Sequence, residues 1–157
     1  FSERGLRGFQ GAKDYLTEAV MNETNETKAE ILNRGFADEM TAAVEYLKTA
    51  GRYGDDMLKQ QFLQYAGDEL NHAAKILRLM QENDIKAETI DFSESDESLR
   101  EKMIEYIANE ESAVFYYDIL QKLHPDKEIV ELCQGIKSEE ELHLRNIKEI
   151  FKQTGAK

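Results

Sequence analysis

The chain has 157 residues, enough for one domain that buries a full core, and carries 32 acidic against 20 basic side chains, a net charge of −12. That balance argues against nucleic acid and anionic membrane as partners, since both need a basic footprint, and suits a protein that draws in cations. The single cysteine, Cys133, excludes an internal disulfide framework and a C-x-x-C metal knuckle.

No apolar run approaches the length of a membrane span and no signal-peptide core is visible, so a reducing cytoplasm is the expected compartment. The first residue is Phe1 rather than Met, which leaves room for residues upstream. Two regions are expected: an amphipathic helix and linker over 1–25, then a helical domain over 26–157. Phe9, Ala12, Leu16, Ala19 and Val20 place the short helix near 9–21. The "NETNET" run that follows holds two N-x-T acceptors, and capping by Thr24 or Asn25 is the preferred reading.

A first long helix is predicted over about 27–52, with Leu32, Phe36, Glu39, Ala43 and Tyr46 along one face. "GRYGDD" ends it, and a second covers about 56–83, where Ala66, Leu70, Ala73 and Leu77 suggest the buried stripe. Residues 84–97 lack helical periodicity. A third helix covers about 97–122. "LHPDKE" turns the chain, with Pro125 suited to the first turn of a fourth helix that runs to about 153.

Short turns make the first and second helices one antiparallel hairpin, and the third and fourth another. The 14 residues of 84–97 reach roughly 45 Å when extended. A 28-residue helix is about 42 Å long, so this segment is long enough to return along the bundle. The expected class is all-α, a four-helix bundle of two antiparallel hairpins joined by one long crossover, with an extra short N-terminal helix.

Shifted by 71 residues, the chain aligns with itself without a gap. "DEMTAAVEY" (38–46) falls on "NEESAVFYY" (109–117), and "GDELNHAAKI" (67–76) on "SEEELHLRNI" (138–147). Glu39 therefore matches Glu110, Tyr46 matches Tyr117, Glu69 matches Glu140 and His72 matches His143. From Glu39 to His72 is 72 − 39 = 33 residues, and from Glu110 to His143 is 143 − 110 = 33 again. One E-x-x-H in a glutamate-rich chain is unremarkable; two in register, with matching partners upstream, are not.

Residues three apart share a helix face, so each E-x-x-H presents both side chains together. Glu39 and Glu110 sit among apolar residues of their own helices. Four carboxylates and two imidazoles then converge in the interior, an arrangement too costly without counter-charge. Two divalent ions balance four carboxylates. Mixed carboxylate and imidazole donors suit iron or manganese and admit zinc, and a neutral diferrous site suits two-electron chemistry with dioxygen or peroxide.

On these residues the sequence resembles the ferritin-like di-iron carboxylate proteins, in the rubrerythrin and bacterioferritin branch, over about residues 28–153. The resemblance implies two iron ions per chain. Glu69 and Glu140 would bridge them, Glu39 and His72 would be terminal ligands to one, and Glu110 and His143 to the other. It further implies that Asp68 orients His143 and Glu139 orients His72, the acid before each E-x-x-H serving the opposite hairpin. Tyr46 and Tyr117 would point inward beside the metals; filling core with the hydroxyl on some carboxylate is the alternative.

Departures from the family pattern narrow the reading. No additional glutamate stands at Ala66, Ala113 or Lys137, and one cysteine cannot build a rubredoxin module. Leu70 occupies the place of the bacterioferritin haem methionine, so no haem is expected. The sequence closes at Lys157 without the fifth helix used in cage building, so a storage shell is not expected and a homodimer or higher homo-oligomer is. Cys133 aligns with Phe62 and reads as a small buried hydrophobe, His124 as a solvated loop residue, and Glu45, Glu111 and Glu141 as outward-facing or ion-paired.

The expected function is an oxidoreductase that reduces hydrogen peroxide or dioxygen at a diferrous centre, drawing electrons from an external donor. The alternative is a ferroxidase, with Fe(II) as substrate. Manganese catalases share the ligand pattern but are larger, and the quinone-modifying relatives associate with membranes, for which this chain offers no basic amphipathic surface.

Overall fold

A computed structural model describes residues 27–53, 55–92 and 97–154. They form four helices: α1 (Lys28–Arg52), α2 (Asp56–Glu82), α3 (Leu99–Leu123) and α4 (Lys127–Thr154), with no strand among the described residues. The predicted helix over 9–21, and the caps at Thr24 and Asn25, lie outside the described residues. No described helix is long and apolar enough to cross a membrane.

Side-chain caps set where the helices begin. Thr27 accepts from the Glu30 amide while the Glu30 carboxylate reaches back to the Thr27 amide, a capping box that fixes the start of α1. Ser98 and Glu101 repeat it at α3, and Asp55 accepts from the Leu58 amide at α2. Pro125 was expected inside the first turn of α4. It stands instead just before that helix, whose first carbonyl bond runs from the Val130 amide to Asp126.

The described chain falls into two compact units, within Thr27–Ser95 and Asp96–Lys157. In the first, α1 and α2 pack as a hairpin around Ile31, Leu32, Ala43, Tyr46, Phe62 and Ile76, all buried. Tyr46, Phe62 and Tyr65 form an aromatic triangle with ring centroids 5.7–6.0 Å apart. In the second, Met103, Tyr106, Leu120, Ile129, Cys133, Ile136 and Ile147 fill the α3–α4 hairpin.

The buried face of α2 differs from the expected stripe. Leu70 is 43 % exposed, and the interior is lined by Phe62, Tyr65, Ala66, Glu69, His72, Ala73, Ile76 and Met80. Ala66 and Ala73 are buried as expected, and Glu69 and His72 share that buried face with them.

The end of α2 holds the segment that follows it. Asp84 adopts φ 55°, and the amides of Asp84 and Ile85 return to the carbonyls of Gln81 and Met80, closing a Schellman motif. Buried Asn33 on α1 then pins this segment, donating to the Lys86 carbonyl at 3.1 Å and accepting from the Glu88 amide at 2.9 Å. Removing that carboxamide strands backbone groups in a half-buried place. Asn33→Ala is therefore expected to lower stability by about 2 kcal/mol, read by urea unfolding.

Candidate metal centre

Each hairpin gathers one set of donors, and each set is described within its own unit. Glu39 comes from the middle of α1, and Glu69 and His72 lie one turn apart on α2. All three are buried, His72 completely. His72 Nδ1 lies 3.2 Å from Glu69 Oε2 and 3.4 Å from Glu39 Oε2. In the other hairpin Glu110 comes from α3, and Glu140 and His143 from α4. His143 Nδ1 lies 3.5 Å from Glu140 Oε2 and 3.6 Å from Glu110 Oε1.

Most of these separations are too long for good hydrogen bonds. They do match the spacing of neighbouring ligands on one ion. Two donors at about 2.1 Å from a first-row metal, subtending about 100–120°, stand roughly 3.2–3.6 Å apart. Within each trio every residue offers an atom no more than 4.8 Å from the others. Two carboxylates and an imidazole in a dry interior are poorly tolerated as bare charges, and a divalent cation removes the mismatch. The donor set fits iron, manganese or zinc.

The remaining residues divide as their burial dictates. Tyr46 and Tyr117 are almost fully enclosed, two turns beyond Glu39 and Glu110; Tyr46 packs on Phe62 and Tyr65, and Tyr117 edge-on to Tyr116. Asp68 and Glu139 are half-buried. Glu45 lies 3.7 Å from Lys48, Glu111 3.3 Å from Lys148, and Glu141 3.9 Å from Lys137, so each faces a cation rather than the donor trios. His124 lies in the turn between α3 and α4 as expected, half-buried and outside both donor trios; it caps α3, its amide donating to the Leu120 carbonyl.

Cys133 is fully buried, and burial, with the Asp118 carboxylate adding to it, pushes its thiol up to about 12. It is therefore expected to resist dithionitrobenzoate at pH 8 in the native protein and to react completely once unfolded in guanidinium. Rapid native labelling would place it at the surface.

Sequence reasoning overlooked Asn33, whose polar pattern alone does not reveal the backbone it holds. It also overlooked Lys102, buried with its ammonium 3.7 Å from Glu97 and 3.5 Å from Glu105. A lysine one residue before Met103 on an apolar face was the available signal for a stem that lies along the core.

Four long helices, with a Glu and a Glu-x-x-His trio in each hairpin, define the ferritin-like carboxylate class, an all-α four-helix bundle fold. The sequence matches the rubrerythrin family over residues 30–151, most of its length, and the chain belongs to that family. No curated protein matches it.

Proposed function

We propose that the chain is a di-iron oxidoreductase that reduces hydrogen peroxide or dioxygen with electrons from an external donor. The observation that carries this reading is the doubled trio: the same three donors, buried and at ligand spacing, built once in each hairpin. Glu39 with His72, and Glu110 with His143, would each hold one iron, and Glu69 and Glu140 would supply carboxylates to both. Four carboxylates against two divalent ions make the reduced centre neutral, which the apolar surroundings favour.

When bound, the two irons supply one electron each for a two-electron reduction. The protein's own groups do the rest. As the family resemblance implies, Asp68 and Glu139 would accept from the far ring nitrogens of His143 and His72 and so fix the imidazole tautomers. Tyr46 and Tyr117, buried two turns beyond Glu39 and Glu110, would offer their hydroxyls as hydrogen-bond donors to the carboxylates. Their rings, with Phe62, Tyr65 and Tyr116, keep bulk water from the interior. Reduction of peroxide to two waters consumes two protons as well as two electrons, so the pathway for protons must pass these polar groups.

Stopped-flow absorbance on protein loaded anaerobically with Fe(II) tests the reading. Oxidation by peroxide is expected to outpace oxidation by dioxygen. Faster reaction with dioxygen, with repeated turnover of added Fe(II), would establish a ferroxidase instead. No ferric absorbance with either oxidant would end the redox assignment.

A further inference from the structure

Helix α3 is apolar on two opposite sides. Its inner side carries Met103, Tyr106, Glu110 and Tyr117, all buried. Glu111 and Asp118 reach Lys148 and Lys137 of α4, at 3.3 and 2.7 Å, and mark the flank turned to that helix. Ala108, Ser112, Phe115 and Ile119 belong to neither. At about 100° per residue they stand roughly 140–200° around the helix from Glu110, on the side away from the donors.

This outer row is covered. Ala108 and Ile119, at its two ends, keep only 8 % and 7 % of their surface, although Phe115 between them keeps 40 %. The Ser112 hydroxyl donates to the Ala108 carbonyl at 2.9 Å, so its polar group is satisfied by its own helix and the row presents an apolar surface. The internal repeat supplies a comparison. The matching residues of α1 are Ala37, Thr41, Val44 and Lys48; Thr41 is exposed and Lys48 lies 3.7 Å from Glu45. That side of α1 carries groups that suit water, whereas the same side of α3 has lost them.

We propose that residues 9–21 of this chain form a helix that docks along the outer row of α3, parallel to it. The two rows match in length, since 20 − 9 = 11 and 119 − 108 = 11 residues separate Phe9 from Val20 and Ala108 from Ile119; each is about 16 Å of helix. Both alternate large and small side chains, which lets two helices interdigitate. Charge sets the direction. Arg4, Arg7 and Lys13 stand against Glu3 in residues 1–13 of a chain whose net charge is −12, and the outer row continues toward the start of α3 in Glu101 and Glu105. A segment joined by the five residues 22–26 meets its site at an effective concentration on the order of millimolar, which favours it over a second copy as the occupant. The docked segment then steadies the helix that presents Glu110 on its other side.

Thiol labelling of the full, metal-free chain decides, independently of the iron assignment. Cys133 is buried, so a cysteine placed in the row reports its cover. Ala108→Cys is expected to react slowly with dithionitrobenzoate. Adding Phe9→Asp and Leu16→Asp is expected to speed that reaction about 100-fold, because the row is then open. Glu18→Gln, on the side of the segment away from Phe9 and Leu16, is expected to leave the rate unchanged. Ile119→Cys repeats the measurement at the other end of the row, and far-UV circular dichroism verifies that each variant folds. Fast labelling at both positions without the aspartates would show an open row. Slow labelling that the aspartates do not change would show a different cover, and labelling that speeds up on dilution would show a second copy. Each of these results would overturn the proposal.

Discussion

Replacing His72, His143 and the four glutamates beside them (Glu39, Glu69, Glu110 and Glu140) together by leucine is expected to abolish iron binding and yet to make the metal-free protein more stable. Both imidazoles are enclosed, with Glu39 and Glu69 beside one and Glu110 and Glu140 beside the other. Their presence costs solvation that neighbouring carboxylates only partly return. Leucine brings apolar volume of similar size, and exchanging buried polar clusters for hydrophobes typically gains about 1–4 kcal/mol. At about 3 °C per kcal/mol for a chain of this length, the metal-free melting temperature should rise by roughly 3–12 °C. A fall of similar size would mean that these six donors serve the fold through their hydrogen bonds, and the metal argument would lose its physical basis.

Removing bound metal from the unaltered protein is expected to have the larger effect on stability, and in the opposite direction. A ligand that binds only the folded state stabilises by about 2.7 kcal/mol at a free concentration 100 times its dissociation constant. Two ions on that scale contribute about 5 kcal/mol, so a chelator should lower the melting temperature by roughly 15 °C. The same chelator should not move the protein with all six donors replaced by leucine. Equal melting temperatures for metal-loaded and metal-free parent protein would contradict the assignment, because a site built from these buried carboxylates cannot gain its counter-charge without stabilising the fold.

The donor residues were legible because chemistry and periodicity coincided. A glutamate three residues before a histidine is ambiguous once; repeated after 71 residues with matching upstream glutamates, it identified both trios that the hairpins assemble. Helix limits were nearly as clear, since Asp55 and Ser98 are strong caps and Gly51 with Tyr53 breaks the periodicity.

The α2 stripe was misread for a physical reason. Leu70 and Leu77 outweigh Glu69 and His72 on any hydrophobicity scale, so a pattern that counts apolar residues turns the helix toward its leucines. The structure turns it the other way, which leaves Leu63 and Leu70 exposed. Asn33 was silent for a different reason: its partners are the Lys86 carbonyl and the Glu88 amide, and backbone groups leave no mark in sequence.

The most direct test of the account is an iron count on anaerobically loaded, desalted protein, made on the parent chain and on Glu69→Ala. Two ions per chain in the parent, falling to nearly none in the variant, is the expected result if, as proposed, Glu69 serves both irons. A fall from two ions to one would mean that the hairpins bind metal independently, and a parent chain that retains no iron would contradict the metal centre altogether.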